Sequence, residues 1–118
     1  MRRLVLAEVE VVHLPGGNFR LDGGTMFGVV PKDLWQRESA PDAHNRIRLA
    51  CNCLLLNIAG ERILLDTGVG ERCSAREREI YGIDTTQTLR SSLATAGLKP
   101  TDITMVAFTH LHFDHFCG

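Results

Sequence analysis

Residues 109–115 read Thr-His-Leu-His-Phe-Asp-His and place four potential metal ligands within six positions. His110 and His112 lie two residues apart, so in an extended segment both imidazoles project to the same side and can bind one cation. Asp114 and His115 are offset from that pair and can turn towards a second cation. The spacing therefore predicts a site for two metal ions. The alternative is a set of unrelated side chains in a solvated loop, which this spacing directly after an apolar segment disfavours.

The ligand types indicate which metal such a site prefers. Borderline-soft imidazoles combined with one hard carboxylate suit zinc best, while iron(II) or manganese would also accept them. Zinc is therefore the expected cofactor, with two ions in a complete site.

The pattern Thr-His-x-His-x-Asp-His resembles the signature of the metallo-β-lactamase-fold hydrolases. The resemblance implies an α/β fold, a four-layer αββα sandwich of two similar halves, with residues 1–118 as the N-terminal half. It implies that His110 and His112 bind the first metal and that Asp114 and His115 bind the second. Two further histidines and a bridging aspartate then belong to a second half that this sequence does not include. Asp114 is also the expected catalytic residue, because it would bind a metal and orient the metal-bound hydroxide that attacks the substrate.

A fifth residue, Asp66, follows the apolar run 63–65 and precedes Thr67-Gly68. A carboxylate at the end of a buried strand needs a partner, because leaving it unpaired costs several kcal/mol. Members of the family that the sequence resembles have a Leu-x-Asp-Thr-Gly segment here, whose Asp supports the metal-binding loop and orients its imidazoles. The alternative is an Asp that only caps its own turn.

Residues 22–32, Asp-Gly-Gly-Thr-Met-Phe-Gly-Val-Val-Pro-Lys, resemble a segment in a lactonase-like subgroup of the same family, where a loop from the first hairpin overhangs the site. Three glycines would let the backbone approach a substrate, while Met26 and Phe27 would form an apolar wall of the pocket. A plain hairpin turn whose apolar residues enter the core is the alternative.

The composition is average for a soluble domain, since the 118 residues are 44% hydrophobic and 23% charged. The net charge of −1 gives no electrostatic reason to expect a nucleic-acid partner or an anionic membrane surface. No window approaches the ~20 apolar residues of a membrane span. Glu8 and Glu10 interrupt the apolar run that a signal peptide would need. We therefore expect a cytoplasmic protein.

The four cysteines do not suggest a disulfide framework. Cys51 and Cys53 lie two apart in a strand-like run, so they share a face and cannot readily bond to each other. Neither they nor Cys73 and Cys117 form a Cys-x-x-Cys motif. Small buried hydrophobic residues in a reducing compartment are the expected interpretation.

The hydrophobic pattern predicts strands alternating with one helix. Pro15-Gly16-Gly17 is expected to close the first strand. Thr85-Thr86 is expected to cap a helix that carries Leu89, Leu93 and Ala96 in an i, i+4, i+7 stripe and ends at Gly97. Strands are predicted over residues 4–14, 46–58, 62–66 and 103–108, with residues 54–56 and 103–108 buried on both faces. The tight turn at residues 59–61 is expected to join the second and third of these strands as a hairpin.

These features predict a metal-dependent hydrolase of a small-molecule substrate with an ester, lactone, thioester, amide or phosphoester bond, and residues 22–32 favour a lactone. We expect the 118-residue chain alone to be inactive and to need the missing C-terminal half, or a second copy of itself, as a partner. Two alternatives stay open: a non-catalytic truncated fragment of such a hydrolase, and a di-iron redox protein on the same fold. The sequence departs from the family pattern at residues 116–118, where Phe-Cys-Gly replaces a small residue and two glycines.

Overall fold

The computed structural model describes residues 1–118 and contains five strands and five short helices. The strands are β1 (Arg2–Leu6), β2 (Val9–Asp22), β3 (Arg46–Ile58), β4 (Glu61–Leu65) and β5 (Met105–Ala107). The helices are α1 (Gly23–Phe27), α2 (Lys32–Trp35), α3 (Ala75–Ile80), α4 (Leu89–Thr95) and α5 (Phe113–Phe116), and a 3₁₀ turn spans Pro100–Asp102. None of the helices is long and apolar enough to cross a membrane.

All five strands form one sheet in chain order. The first four strands pair antiparallel, whereas β5 pairs parallel to β4 after a crossover that contains α3 and α4. The turn between β3 and β4 consists of Ala59 and Gly60, whose φ angles are 50° and 85°. Two consecutive positive φ angles give the twist that a two-residue hairpin prefers. The predicted hairpin and the predicted α/β order are therefore confirmed.

The N-terminal strand prediction was wrong in two ways. Residues 4–14 form a hairpin rather than one strand, because the chain reverses at Ala7, which has a φ of 53°. Strand β2 then continues through Pro15-Gly16-Gly17, where the pairing with β3 shifts register as a bulge. A side chain at Gly16 would contact the Cys53 sulfur at 2.8 Å, and Gly17 has a φ of 114°. These glycines therefore allow close packing and a bend within the strand rather than ending it.

Helix α4 packs on one face of the sheet and forms the main core with it. The helix contributes Leu93, with Leu89 and Ala96 beside it, as the i, i+4, i+7 pattern predicted. The predicted cap was wrong, because Thr88 rather than Thr85-Thr86 caps the helix in a reciprocal pair with Ser91. The buried core residues on this side are Val12, Leu14, Cys53, Leu55, Leu64 and Leu93.

The opposite face of the sheet stays largely uncovered, and we call it the open sheet face. Its members alternate along each strand with the core residues and stand in register with one another. They are Leu4, Val11, His13, Leu54, Leu56, Ile63, Leu65 and Met105. The radius of gyration is 16.0 Å, above the roughly 13.5 Å of a compact domain of this length.

The burial of residues 54–56 and 103–108 on both faces stays a prediction for the complete domain, because residues 1–118 cover only one face of the sheet. Leu55 is buried, but its neighbours Leu54 and Leu56 lie partly exposed on the open sheet face. The last strand covers only Met105–Ala107, and it lies at the edge of the sheet with Met105 54% exposed. An apolar sequence run does not by itself show that both of its faces have neighbours.

Candidate metal centre

The two predicted site segments meet at one end of the sheet. Asp66 directly follows β4, and Thr109 follows β5 after one intervening residue. Because these two strands are parallel neighbours, their carboxyl ends lie side by side, and the Asp66 N–H donates to the carbonyl of Ala107 at 2.9 Å. Ligands commonly bind beyond the carboxyl ends of parallel strands. The fold therefore places residues 109–115 where a site is expected.

The Asp66 carboxylate is the anchor of this region. Its Oδ1 accepts a hydrogen bond from the Thr109 N–H at 2.8 Å, and its Oδ2 accepts one from the Thr109 hydroxyl at 2.8 Å. Oδ2 also lies 2.8 Å from Nδ1 of His115. Asp66 is only 7% exposed and has a φ of 58°. The structure thus places Asp66 against the predicted metal loop rather than in its own turn, while its effect on a metal stays a prediction.

The ionisation of Asp66 follows from these contacts. Burial alone would raise the pKa of this carboxyl group, because a charged group loses hydration. Hydrogen bonds from His115 and from both donors of Thr109 outweigh burial and hold the pKa of Asp66 below its usual value. Asp66 is therefore an anion at neutral pH and accepts protons from its neighbours rather than donating one.

Three histidine rings of the motif lie close together. The ring centroids of His110 and His112 are 4.6 Å apart, and those of His110 and His115 are 4.0 Å apart. Oδ2 of Asp114 lies 3.4 Å from Nε2 of His115, so the two ligands predicted for the second metal face a common space. All four predicted ligands therefore cluster at the sheet end.

The four candidate ligands have the chemistry that a divalent metal prefers, but their side chains lie too far apart to surround one ion. His115 uses Nδ1 towards Asp66, which leaves Nε2 for a ligand, as is typical of metal-binding histidines. No three His, Cys, Asp or Glu side chains converge closely enough to hold an ion by themselves. His110 and His112 are exposed as well. The metal-ligand roles of the four motif residues stay predictions.

The loop that carries these ligands is fastened from two sides. Phe113 packs edge-to-face on Phe19 at 5.5 Å between centroids and lies 4.8 Å from the ring of Tyr81. On the other side, the Thr67 N–H donates to the carbonyl of His115, and the Cys117 N–H donates to that of Gly68. Phe113, which lies between His112 and Asp114 in the chain, therefore holds the loop in place by apolar packing.

The departure at residues 116–118 does not distort the backbone. Cys117 has a φ of −86° and a ψ of −6°, a conformation open to any residue, so a glycine is not required there. The close approach that needs a glycine lies opposite, at Gly70, where an added Cβ would collide with the Cys117 carbonyl. Residues 113–116 form α5, and Cys117 is its C-cap.

Residues 22–32 form a helical turn rather than a plain hairpin. Asp22 caps α1 by accepting from the Thr25 N–H at 2.8 Å. Phe27 stacks on the buried Trp35 with centroids 5.1 Å apart, and an added Cβ at Gly23 would meet the Trp35 ring at 2.5 Å. Met26 remains 45% exposed. Phe27 is thus committed to packing, which leaves Met26 as the freer candidate for a pocket wall.

The sequence did not identify three residues that support this region. The motif gives Thr109 no role of its own, although its hydroxyl bridges Asp66 to His110 and His115. Tyr81 and Phe19 were not connected with the motif, because the aromatic contacts join segments far apart in the chain. The position of a hydroxyl residue directly before the first histidine was the one usable signal.

Comparisons with known proteins show the family of this chain. The family model described as "Metallo-beta-lactamase superfamily" matches residues 46–118. A solved structure of a probable metal-dependent hydrolase from Staphylococcus aureus is 35% identical, with a TM-score of 0.86. The match covers 98% of this chain and 42% of that one. The predicted fold class, the N-terminal half of a metallo-β-lactamase sandwich, is confirmed.

Two further relatives show how far the likeness extends. AidC, a dizinc quorum-quenching lactonase solved with the product N-hexnoyl-L-homoserine, is 26% identical with a TM-score of 0.64, over 99% of this chain and 38% of that one. The cytochrome P450 monooxygenase mpaDE of Penicillium roqueforti is 24% identical over 106 residues, which cover 80% of this chain and 12% of that protein. The chain thus spans about 40% of the solved relatives' length and a smaller share of the fungal protein's.

Proposed function

Since this chain belongs to the metallo-beta-lactamase superfamily, we propose that the protein is a zinc-dependent hydrolase of an ester, lactone or related bond. The observation that carries the proposal is the meeting of Asp66 with residues 109–115 at the carboxyl ends of β4 and β5. There the buried carboxylate of Asp66 contacts His115 directly and His110 through Thr109.

Each motif residue has a proposed role. His110 and His112 hold one metal ion, and Asp114 and His115 hold the second. When bound, such ions act as Lewis acids and lower the pKa of water from about 15.7 towards about 7. Asp66 keeps the Nδ1 proton of His115 in place, so that Nε2 faces the ion. Asp114 is the proposed catalytic residue, because its Oδ2 lies beside Nε2 of His115 and can accept a hydrogen bond from the attacking water.

A lactone is the proposed substrate class. The likeness to the lactonase AidC supports it, as does the resemblance of residues 22–32 to a lactonase-like segment. Because residues 1–118 provide only four candidate ligands for two ions, we propose that they form one half of an αββα domain. The other half, which would cover the open sheet face, completes the metal coordination.

A metal-binding chain that does not turn over substrate is the second candidate. The observation in its favour is that no three potential ligands converge on one point in this chain. Under this alternative, residues 110–115 bind an ion loosely and a substrate is never activated. Metal binding without hydrolysis by any form of the protein would support it.

The test is elemental analysis combined with a hydrolysis screen. The protein is purified without chelator, both as residues 1–118 and as the longest product of its natural reading frame. N-acyl homoserine lactones, aryl esters and thioesters serve as substrates. We expect zinc in both samples, turnover within roughly 1–1,000 per second in the complete form, and little or none in residues 1–118. Lactone hydrolysis that survives in the His110→Ala and His112→Ala variants would overturn the proposal.

A reducing compartment such as the cytoplasm is the proposed location. Cys51 and Cys53 are free thiols in the core, and Cys73 and Cys117 are also unpaired. Unpaired thiols are typical of proteins that stay in a reducing environment. Thiol titration of the protein from its native host, compared with the expected four free groups, tests this proposal.

A further inference from the structure

The Thr109 hydroxyl occupies a position that the proposed function leaves unassigned. Its Oγ1 lies 2.8 Å from Oδ2 of Asp66, 3.0 Å from Nδ1 of His110 and 3.3 Å from Nδ1 of His115. A hydroxyl has one hydrogen to donate and two lone pairs with which to accept. The direction of each of these contacts can therefore be worked out from the partners.

The hydroxyl hydrogen goes to Asp66. The geometry of the 2.8 Å contact between Oγ1 and Oδ2 makes Thr109 the donor, and the other oxygen of the same carboxylate accepts from the Thr109 N–H. The oxygen of Thr109 is then left with acceptor positions only. The ring of His110 meets this oxygen with Nδ1, so Nδ1 of His110 must carry a hydrogen if the 3.0 Å contact is a hydrogen bond.

His115 also carries its hydrogen on Nδ1, because this nitrogen contacts Asp66 directly. Its Nδ1 donates to Oδ2 of Asp66 at 2.8 Å, with Thr109 as a longer second acceptor at 3.3 Å. Both imidazoles thus place their hydrogen on Nδ1 and keep a lone pair on Nε2. A lone pair on Nε2, the nitrogen that neither Asp66 nor Thr109 contacts, is the condition for binding a metal ion there.

We propose that Thr109 is a positioning residue that fixes the tautomer and direction of His110, so that one buried carboxylate controls two imidazoles, His115 directly and His110 through the hydroxyl. The inference rests on the proposed function for its purpose, which is metal binding. The relay from Asp66 through Thr109 to His110 is a claim about proton positions, and it can be tested without any metal or substrate.

The first experiment reads the tautomers by nitrogen-15 NMR of labelled histidine side chains. Metal-free protein is measured at about pH 8, above the ordinary histidine pKa near 6.5. We expect His110 and His115 in the Nδ1–H form in the wild type and in Thr109→Ser. In Thr109→Val the His110 signal is expected to move towards a mixture of tautomers, while His115 keeps the Nδ1–H form.

Thr104→Val is the matched control, because it removes the same hydroxyl at the start of β5. Thr104 Oγ1 contacts only the backbone of Arg62, accepting from its N–H at 3.0 Å and donating to its carbonyl at 3.2 Å. Its loss is expected to leave the His110 tautomer unchanged. Finding His110 in the Nε2–H form in the wild type would overturn the relay, and this reading needs no variant to fold.

The second experiment connects the relay with metal affinity. Zinc binding by competition with a chromophoric chelator is expected to weaken roughly 10- to 100-fold in Thr109→Val, as is typical when a ligand's supporting contact is lost. Thr109→Ser and Thr104→Val are expected to bind as the wild type does. An unchanged zinc affinity in Thr109→Val would also overturn the proposal. If zinc binds as expected but no substrate is hydrolysed, the proposed function fails and the relay stands.

Discussion

Nδ1 of His115 lies 2.8 Å from Oδ2 of Asp66, although 49 positions separate the two residues in the chain. The contact exists because β5 adds to the sheet parallel to β4, so that both strands end at the same edge. The segment between β4 and β5, which includes α3 and α4, is the crossover connection that a pair of parallel strands requires. The metal candidates therefore depend on the whole crossover being folded, and ligand geometry reports on the tertiary fold.

The first prediction concerns metal content. His110→Ala or His112→Ala is expected to lower bound zinc sharply, because each variant removes a proposed direct ligand from a site where no three potential ligands converge. Elemental analysis of protein purified without chelator measures the stoichiometry. His13→Ala is the control, since His13 pairs with Asn52 on the sheet, 2.8 Å away, and not with the motif. Unchanged zinc in both motif variants would contradict the ligand assignment.

The second prediction separates support from ligation. Asp66→Asn is expected to weaken zinc binding about 10- to 100-fold, less than the loss of His110 or His112. Asparagine tolerates the positive φ of 58° at this position, and its amide oxygen can still accept from Thr109. The lost carboxylate contact is expected to cost about 1–3 kcal/mol in the free energy of unfolding.

Zinc titration and urea unfolding measure these two effects separately. If Asp66→Asn abolished zinc binding as completely as His110→Ala while remaining folded, Asp66 would be a direct ligand and its proposed role would be wrong.

Much of the fold could be predicted from local patterns. The β3–β4 hairpin follows from alternation and an Ala-Gly turn, and the stripe of Leu89, Leu93 and Ala96 identifies α4. The helix cap was misplaced because Asp84 takes the Thr86 hydroxyl into its own turn at 2.6 Å, which leaves Thr88 to cap. Two nearby hydroxyl residues compete for such a role, and the sequence alone does not rank them.

The incorrect prediction at Pro15-Gly16-Gly17 and the open burial of residues 103–108 have a different origin. Glycine normally marks a turn, but Gly16 is needed here because Cys53 on the neighbouring strand leaves no room for a side chain. Likewise, burial of β5 depends on which elements cover each face of the sheet. Both facts are tertiary, so no periodicity within one segment could reveal them.

The candidate site residues are easier to predict from the sequence than the contacts that hold their side chains in place. Six consecutive residues carry the histidine and aspartate pattern, so the motif is visible locally. The aromatic contacts of Phe113 with Phe19 and Tyr81 join three segments that are distant in the chain, so no local sequence pattern predicts them. The candidate ligands can thus be read from the sequence, whereas the contacts that orient their side chains depend on packing.

The third prediction concerns acid stability. Burial alone would raise the pKa of Asp42, but hydrogen bonds from the Arg46 N–H and guanidinium and from the His44 N–H outweigh it and lower the pKa to about 2. A lowered pKa stabilises the folded state fully above the ordinary value near 3.9, and this contribution is lost as the pH falls through about 2.

Asp42→Asn is therefore expected to lower stability at neutral pH and to lose less than the wild type on acidification. Urea unfolding at neutral pH and at about pH 2.5, within the titration range of Asp42, measures the difference. Glu38→Gln, an exposed change in the same loop, is the control and should follow the wild type. Parallel pH profiles of Asp42→Asn and wild type would contradict the assignment.

The fourth prediction concerns thiol reactivity. Cys53 is 1% exposed, and burial raises its pKa to about 12. Because the thiolate is the reactive form, Cys53 should resist alkylation in the folded protein. Partial burial and the neighbouring Cys73 also raise the pKa of Cys117, but Cys117 is exposed and should therefore react faster than Cys53. Iodoacetamide labelling followed by peptide mass spectrometry measures each site, with denatured protein as the control in which all four cysteines react. Native labelling of Cys53 as fast as Cys117 would show that the core is open.

The last prediction is that residues 1–118 alone do not persist as a solitary monomer. The open sheet face presents an apolar surface, and soluble monomers seldom leave a contiguous patch of more than about 300–600 Å² exposed. We expect the complementing half of the domain to be the natural cover, and in its absence a second copy of the chain. Light scattering should then report a mass above the 13.1 kDa of one chain.

Leu4→Glu combined with Met105→Glu places two charges on the open sheet face. Both side chains are more than half exposed, so the fold should tolerate the change while self-association falls. Leu34→Glu, an equally exposed change on α2, is the matched control and should leave association intact. Adding the separately expressed C-terminal half should displace the second copy and restore hydrolysis together. A stable 13.1 kDa monomer of the unmodified chain would overturn this prediction, because the face would then need no cover.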